Sequence, residues 1–521
     1  MARGGPALRA WRRMRRRSPL VQAATALVVL AVVGAVVYAV SSSKPAPATG
    51  GISPVRLTPS GVGVDEASNS ARGVTAGSIN VAFPVSNLAS LSSSLGFAGD
   101  AEFSAQTKAI HVFVNAVNAD GGIDGRKIDP IIADFDPTNE AGMRALCKQW
   151  TEGSPPVFAV LDGVGAWNGD DELCITQEGH TPFIGAWTTV TEYAAAGAPY
   201  LWWLGPDQAD ILATLVSWGT TSGLLGAPRK VAIVAGDDQS DQIALDDYLL
   251  PDLTAAGLPT PMIETIPTNP DDTAALNSAT PIIVQKLKAA GVQSVIPLMP
   301  FNSLFAYLGQ ESAQNYYPKL LLSDYQSSIT ASLGLIPFPF EDALNGQEGI
   351  TTLTLGGVDG PVSVVGTGGY DQGVQSCFDT WHAANPDPIP GQTMYVAGEK
   401  PSIYIEEQGP VSGWCQAVEL FATAARMAGP DLNRRTFVEA MSRIQNFPGT
   451  WSPLLDYGPD RYAGPSQYQV VELHNNQPPS SLCDLTWQHL VQGTCWVVEQ
   501  SWKPLLSGAV SSSNGGSSSG G

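Results

Sequence analysis

Histidine is the scarcest catalytic side chain in this 521-residue chain: His111, His180, His382, His474 and His489 are the only five, each alone in its stretch. Neither H-E-x-x-H nor G-x-x-x-x-G-K-[ST] occurs, and G-x-S-x-G is met only as "GSSSG" (516–520) in the Ser/Gly tail, so the signatures of zinc proteases, serine hydrolases and P-loop enzymes are missing from the body of the chain. C-x-x-C is also lacking, which leaves cysteine without a metal-binding spacing. "DFDPTNEAGMRA" starts like a calcium loop, but Asn139 stands where the turn needs glycine and Ala145 where the bidentate glutamate belongs. The sequence therefore implies no metal and no cofactor. The acid pairs Asp170-Asp171 and Glu406-Glu407 leave a glycosidase-like hydrolase as a weak alternative, since adjacent carboxylates are usually solvated charge.

Basic residues are almost as sparse once the chain is under way. The total is 27 Lys and Arg against 48 Asp and Glu, and seven of the arginines lie within the first 17 residues. So acidic a body repels phosphate backbones, which excludes nucleic acid as a partner.

After the arginines comes Leu20–Val40, an uncharged run long enough at helical rise to cross the hydrocarbon core of a bilayer. The arginine side is expected to stay in the cytoplasm. The run reads either as a single-pass anchor or as a secretory signal cut near Ser41, and both export the rest of the chain. All six cysteines (Cys147, Cys174, Cys377, Cys415, Cys483, Cys495) fall in the exported part, as disulfides in an oxidising compartment would. Pairing by neighbourhood joins Cys147 to Cys174, Cys377 to Cys415 and Cys483 to Cys495, among fifteen possible connectivities.

The expected organisation is 1–19 cytoplasmic, 20–40 anchor or signal, 41–75 a flexible Ser/Pro/Gly linker, and 508–521 a flexible tail. Between them short apolar runs alternate with helical periodicity: strands at 78–85, 127–136, 156–163 and "PFIGA", then at 230–238, "PMIETIP", 292–300 and 318–324. Such strand-helix repetition predicts an α/β fold of two doubly wound parallel-sheet lobes, 76–204 and 205–324, joined by a hinge. Residues 325–507 are expected to return to the first lobe and complete the fold, with final strands in "YQVVELHNN" and "CWVVEQSW".

One corner stands out, "FVNAVNADGGIDGRKI" (113–128). A helix ends at Asn118, Gly121 or Gly122 takes a left-handed turn, Ile123 packs back, and Asp124-Gly125 turns the chain into the next strand. With "GDAEFSAQTKAI", "RKVAIVAGDDQSDQIALDDYLLPDLTAAG" and "QKLKAAGVQSVI", it resembles the type I periplasmic binding protein family, the branched-chain amino acid and amide receptors of ABC transporters. The likeness runs over about 76–330. It implies an extracytoplasmic receptor that captures a small polar solute between two lobes and passes it to an ABC-type permease or a membrane sensor, without catalysis. A sensory surface module that has lost its ligand is the alternative on the same fold.

In open α/β sheets ligands sit beyond the carboxyl ends of the strands. The loop after the first strand offers Ser86 and Phe97. By resemblance, the loops after the third and fourth strands hold a ligand carboxylate, which points to Gly165, Ala166 and Trp167, and to Trp187 and Thr188. The two tryptophans read either as stacking platforms for a flat ligand or as core aromatics. From the second lobe the family supplies an acid for an ammonium group. Asp237, Asp238 and Asp324 are the available acids here, with Asp324 foremost and Tyr325 beside it, and a cap or solvated turn is the plain alternative for Asp324.

Overall fold

Asn118 explains how the first helix is joined to the strand after it. In the computed structural model, which describes residues 57–86, 103–136, 139–165, 167, 169–186, 188–269, 272–327, 329, 341–353, 372–385, 405–474 and 495–507, α1 is Phe103–Ala119 and β2 is Lys127–Phe135. The Asn118 amide donates to Ile128 O at 2.9 Å and accepts from Ile128 N at 2.7 Å, so a helix side chain serves as a strand partner. Gly121 and Gly122 have φ of 92° and 73°, and Asp124 and Gly125 have 49° and 80°, the positive values that such tight turns demand. Ile123 is fully buried.

The first sheet is wholly parallel in the order β2-β1-β3-β4-β5, with β1 Ser78–Ser86, β3 Ala159–Asp162, β4 Phe183–Gly185 and β5 Leu201–Trp203. Its helices after α1 are α2 (Glu140–Glu152), α3 (Asp170–Leu173, prolonged by the wider turns Cys174–Glu178) and α4 (Thr191–Gly197). The second sheet has the order β14-β13-β10-β9-β8-β6-β7. Its parallel part is β6 (Val231–Gly236), β7 (Met262–Ile266), β8 (Ser294–Leu298), β9 (Lys319–Leu322) and β10 (Glu348–Thr351). Covering it are α5 (Gln208–Thr221), α6 (Gln239–Ile243, continuing through Ala244–Leu249 to Leu250–Ala255), α7 (Thr273–Ala290) and α8 (Phe301–Gln314).

The chain after 353 divides between the lobes. Helices α9 (Gln372–Ala384), α10 (Ile405–Ala428) and α11 (Arg434–Met441) share the core of α1, through Trp381, Trp414, Phe421 and Phe437. Beyond a minimal hairpin of β11 (Phe447–Pro448) and β12 (Leu454–Leu455), strands β13 (Gln467–His474) and β14 (Cys495–Pro504) add antiparallel to the second sheet. So the return to the first lobe is helical, and the closing strands belong to the second. Cys147–Cys174 ties α2 to the turns after α3, and Cys377–Cys415 ties α9 to α10. Cys483 lies outside the described residues, and with it the third pairing.

Three features depart from the sequence reading. Residues 57–75 are not a loose linker: Ala67 is buried, Ser60 N donates to Ala195 O at 3.0 Å, and Arg434 N and Arg435 N donate to Ser70 O and Ser68 O, both at 2.9 Å. A Ser-rich segment docks because its main chain finds partners, and Ser68 N is held at 2.7 Å by the Tyr200 hydroxyl. Second, "LWW" is a fifth strand and not merely a boundary; its three residues are all buried, so no alternation marks it. Third, β10 sits in a stretch with no clear periodicity, and its Gly349 accepts the close approach of Leu322 O from β9. Leu20–Val40 lies outside the described residues, among which no helix is long and apolar enough to cross a membrane.

Candidate functional site

The segment after β4 meets the helix after β6: the Tyr248 hydroxyl donates to Glu192 Oε1 at 2.7 Å, and the Asp238 charge reaches Tyr193. Beside them the Gln208 side-chain amide, at the start of α5, donates to Thr188 O, and Trp203 on β5 bridges to Ala463. The segment after the carboxyl end of β4 and the helix after that of β6 therefore meet.

On the first-lobe wall Ser86 closes β1. It is buried, its carbonyl accepts from the Gln106 amide at 3.1 Å, and its hydroxyl has no partner. One strand over, Asp162 ends β3 and gathers the loop that follows, accepting from Val164 N at 3.1 Å, Gly165 N at 2.8 Å and Trp167 N at 2.7 Å. Burial nevertheless pushes its carboxyl up to about 6, against the pull of these three N–H groups. Gly165 holds φ of 87°, a left-handed value that glycine adopts at no steric cost. Trp167 is fully buried, its ring 5.2 Å from Phe135 and 5.1 Å from Trp150, so it fills the core behind the loop. Behind Asp162 lies Glu172, likewise buried, whose Oε2 accepts from Trp203 Nε1 at 3.1 Å. Burial first, then the Asp162 and Asp171 charges, hold this carboxyl well above its usual range.

The second-lobe wall is built from three strand ends. Asp237, after β6, is exposed and accepts from Thr268 N at 2.9 Å and its hydroxyl at 2.7 Å, which links the ends of β6 and β7. Asp238 caps α6 at Asp241 N. Asp324, after β9, is nearly buried and saturated, with the Thr351 hydroxyl at 2.6 Å on one oxygen and Thr352 N and hydroxyl at 2.6 and 2.7 Å on the other. It is neither a cap nor a solvated turn but a clasp between β9 and β10. Tyr325 is buried and donates to Asp241 Oδ1 at 2.5 Å, and the Gln326 amide joins it at 3.2 Å.

Asp241 itself was not evident from sequence. It is fully buried beneath Gly236, where any Cβ would collide with its carboxylate, and its Oδ2 carries no partner. Burial, followed by the neighbouring Asp238, keeps it well above the usual carboxylate range. A glycine ending a strand, followed by Asp-Asp-x-x-Asp, was the available signal. Of the expected positions, Ser86, Gly165, Trp167 and Thr188 gather at neighbouring strands of the first sheet, and Asp237 and Tyr325 both adjoin Asp238 and Asp241 in the second. Phe97, Ala166 and Trp187 lie outside the described residues. Cys377, Cys415 and Glu419 come close enough to hold an ion, but both sulfurs are spent in the disulfide.

Residues 88–337 match the family model described as periplasmic binding protein. None of the curated proteins matches by sequence. Among solved structures the chain is similar to a fatty acid ABC transporter substrate-binding protein from Thermomonospora curvata, at 16% identity and a TM-score of 0.56, covering 86% of this chain and 99% of that one. A solute binding protein of an ABC transporter from Rhodopseudomonas palustris, in complex with 3,4-dihydroxy benzoic acid, matches at 13% identity and a TM-score of 0.56, covering 82% and 98%. A possible leucine/isoleucine/valine-binding protein from Rhodopirellula baltica gives 14% identity and a TM-score of 0.54, covering 77% and 96%. At such identities these structures carry the fold, that of the periplasmic binding proteins, and the family match spans 250 of the 521 residues.

Proposed function

We propose that the protein is an extracytoplasmic receptor that takes a small polar solute into the cleft between its lobes and hands it to an ABC-type permease or a membrane sensor, without covalent chemistry. The observation that carries this reading is the pair of unmatched polar atoms on opposite walls, the Ser86 hydroxyl and Asp241 Oδ2. Buried polar atoms are rarely left without partners, and a solute bearing an acceptor at one end and a donor at the other supplies both. An amino acid or amide has that polarity, with its carboxylate or carbonyl toward Ser86 and Thr188 and its nitrogen toward Asp241 and Tyr325. The related structures named for a fatty acid, for 3,4-dihydroxy benzoic acid and for leucine/isoleucine/valine make a carboxylate the reasonable common group. Trp187 and Phe97, on the expected cleft loops, are the candidates for contact with the rest of the molecule. Residues 20–40 then either tether the receptor outside the cytoplasm or are removed on export.

Thermal-shift screening of amino acids, amides, sugars and polyamines tests the proposal, since a ligand that binds only the native state raises its melting temperature. Asp241→Asn should abolish the shift given by an ammonium-bearing ligand. A shift that survives both Asp241→Asn and Ser86→Ala places the solute elsewhere. Hydrolysis of a screened compound would revive the enzyme alternative.

A further inference from the structure

At the far end of the second sheet from the cleft lies a cavity of about 320 Å³, where β6 and β7 begin. Apolar side chains form most of its wall, among them Leu253, Leu258, Met262 and Val292. Arg229 and Lys230 stand in the same wall, and no acid lines it. In a chain of net charge −21 an acid-free wall carrying two adjacent cations is an electrostatic exception. Both cations are positioned: Arg229 Nε donates to Gly223 O at 3.1 Å and Lys230 Nζ to Ala290 O at 2.9 Å. Neither belongs to an ion pair among the described residues. With Nε committed, Arg229 still has its terminal nitrogens for a planar anion. The volume lies at the low end for ligand sites, which limits the occupant to a small molecule. This cavity is separate from the cleft, because Val231 and Gly236 stand at opposite ends of β6, roughly 17 Å apart at the rise of a parallel strand.

We propose that this cavity is a second binding site, independent of the interlobe cleft, for small amphipathic carboxylates: an apolar tail against Leu253, Leu258, Met262 and Val292, and a carboxylate at Arg229 and Lys230. The proposal stands whatever solute the cleft takes.

Calorimetric titration of the full-length protein with octanoate tests it, with octylammonium as the probe of opposite charge. Octanoate should bind saturably, and octylammonium at least ten-fold more weakly. Arg229→Glu should weaken octanoate at least ten-fold by reversing the charge, and Met262→Trp should do the same by filling the cavity. Ser86→Ala, on the cleft wall, should leave octanoate affinity unchanged. Should Arg229→Glu fail to fold by circular dichroism, a diazirine-bearing octanoate on the wild-type protein decides, and cross-links within residues 225–231 and 253–262 are expected. Absence of saturable binding, insensitivity to both cavity variants, or cross-links at the strand-end loops of the cleft would each overturn the proposal. A failure in Ser86→Ala alone assigns octanoate to the cleft and likewise overturns it.

Discussion

Asp162, at the carboxyl end of the first sheet, is held by three main-chain N–H groups of its own loop, whereas Asp324, at the end of the second, is held by two threonine hydroxyls and one N–H from the last residue of β10 and the one after it. The first clasp is local and indifferent to the loop's side chains. The second reaches 27 residues along the chain to Thr351 and depends on two side chains being threonine. Behind the first stands an aromatic layer of Phe135, Trp150 and Trp167; beside the second stands a polar set of Asp238, Asp241, Tyr325 and Gln326. Acids at strand ends in this molecule therefore act mainly as braces, and ligand contacts are better sought among the polar atoms that bracing leaves over.

The contrast is broken most severely at Trp167. Trp167→Ala should cost about 4 kcal/mol, the range for emptying a large aromatic site in a core, and lower the melting temperature with little effect on solute affinity. If Trp167 were instead a ligand platform, its loss would spare stability and abolish binding. Replacing Cys147 and Cys174 by serine should cost about 3.5 kcal/mol through the freed loop in the unfolded chain, measured by denaturant titration. The double change Thr351→Val with Thr352→Val should cost about 2 kcal/mol by stranding the Asp324 carboxylate. The corresponding loop change in the first lobe, Val164→Ala, should cost less, because the clasp there is made by main chain.

A smaller effect concerns pH. The folded state holds the Asp162 proton up to about 6, above the value of about 4 in an unfolded chain, so the native protein binds that proton more tightly. Its contribution to stability is fully present below about pH 4 and is lost as pH rises through about 6. The stability gap between wild type and Asp162→Asn should therefore change by about 1 to 2 kcal/mol between pH 4.5 and 7, in the direction of a relatively weaker wild type at pH 7. Parallel melting-temperature curves over that range would show that Asp162 is already ionised at the lower pH.

The parallel strands and the helices between them were legible because burial on both faces leaves continuous apolar runs, and glycines with positive φ marked the corner after α1. β5 escaped because three buried residues have no period to read. The docking of 57–75 escaped because its partners are main-chain groups far along the chain, and composition does not report those. At the site, Asp324 was visible as an acid at a strand end, but its saturation by Thr351 and Thr352 was not, since β10 gives no signal of its own. Asp241 escaped for the opposite reason: within the first turn of a helix an aspartate reads as a solvated helix start, and only the bare Gly236 above it makes room for burial.

The central claim is that a solute bridges the two walls at atoms left over from bracing. Calorimetric titration of the best compound from the thermal screen into wild type and Ser86→Ala tests it most directly. The account predicts an unchanged melting temperature for the unliganded variant, since no hydrogen bond of the Ser86 hydroxyl is lost, and at least ten-fold weaker binding. Equal affinity in the two proteins would contradict it.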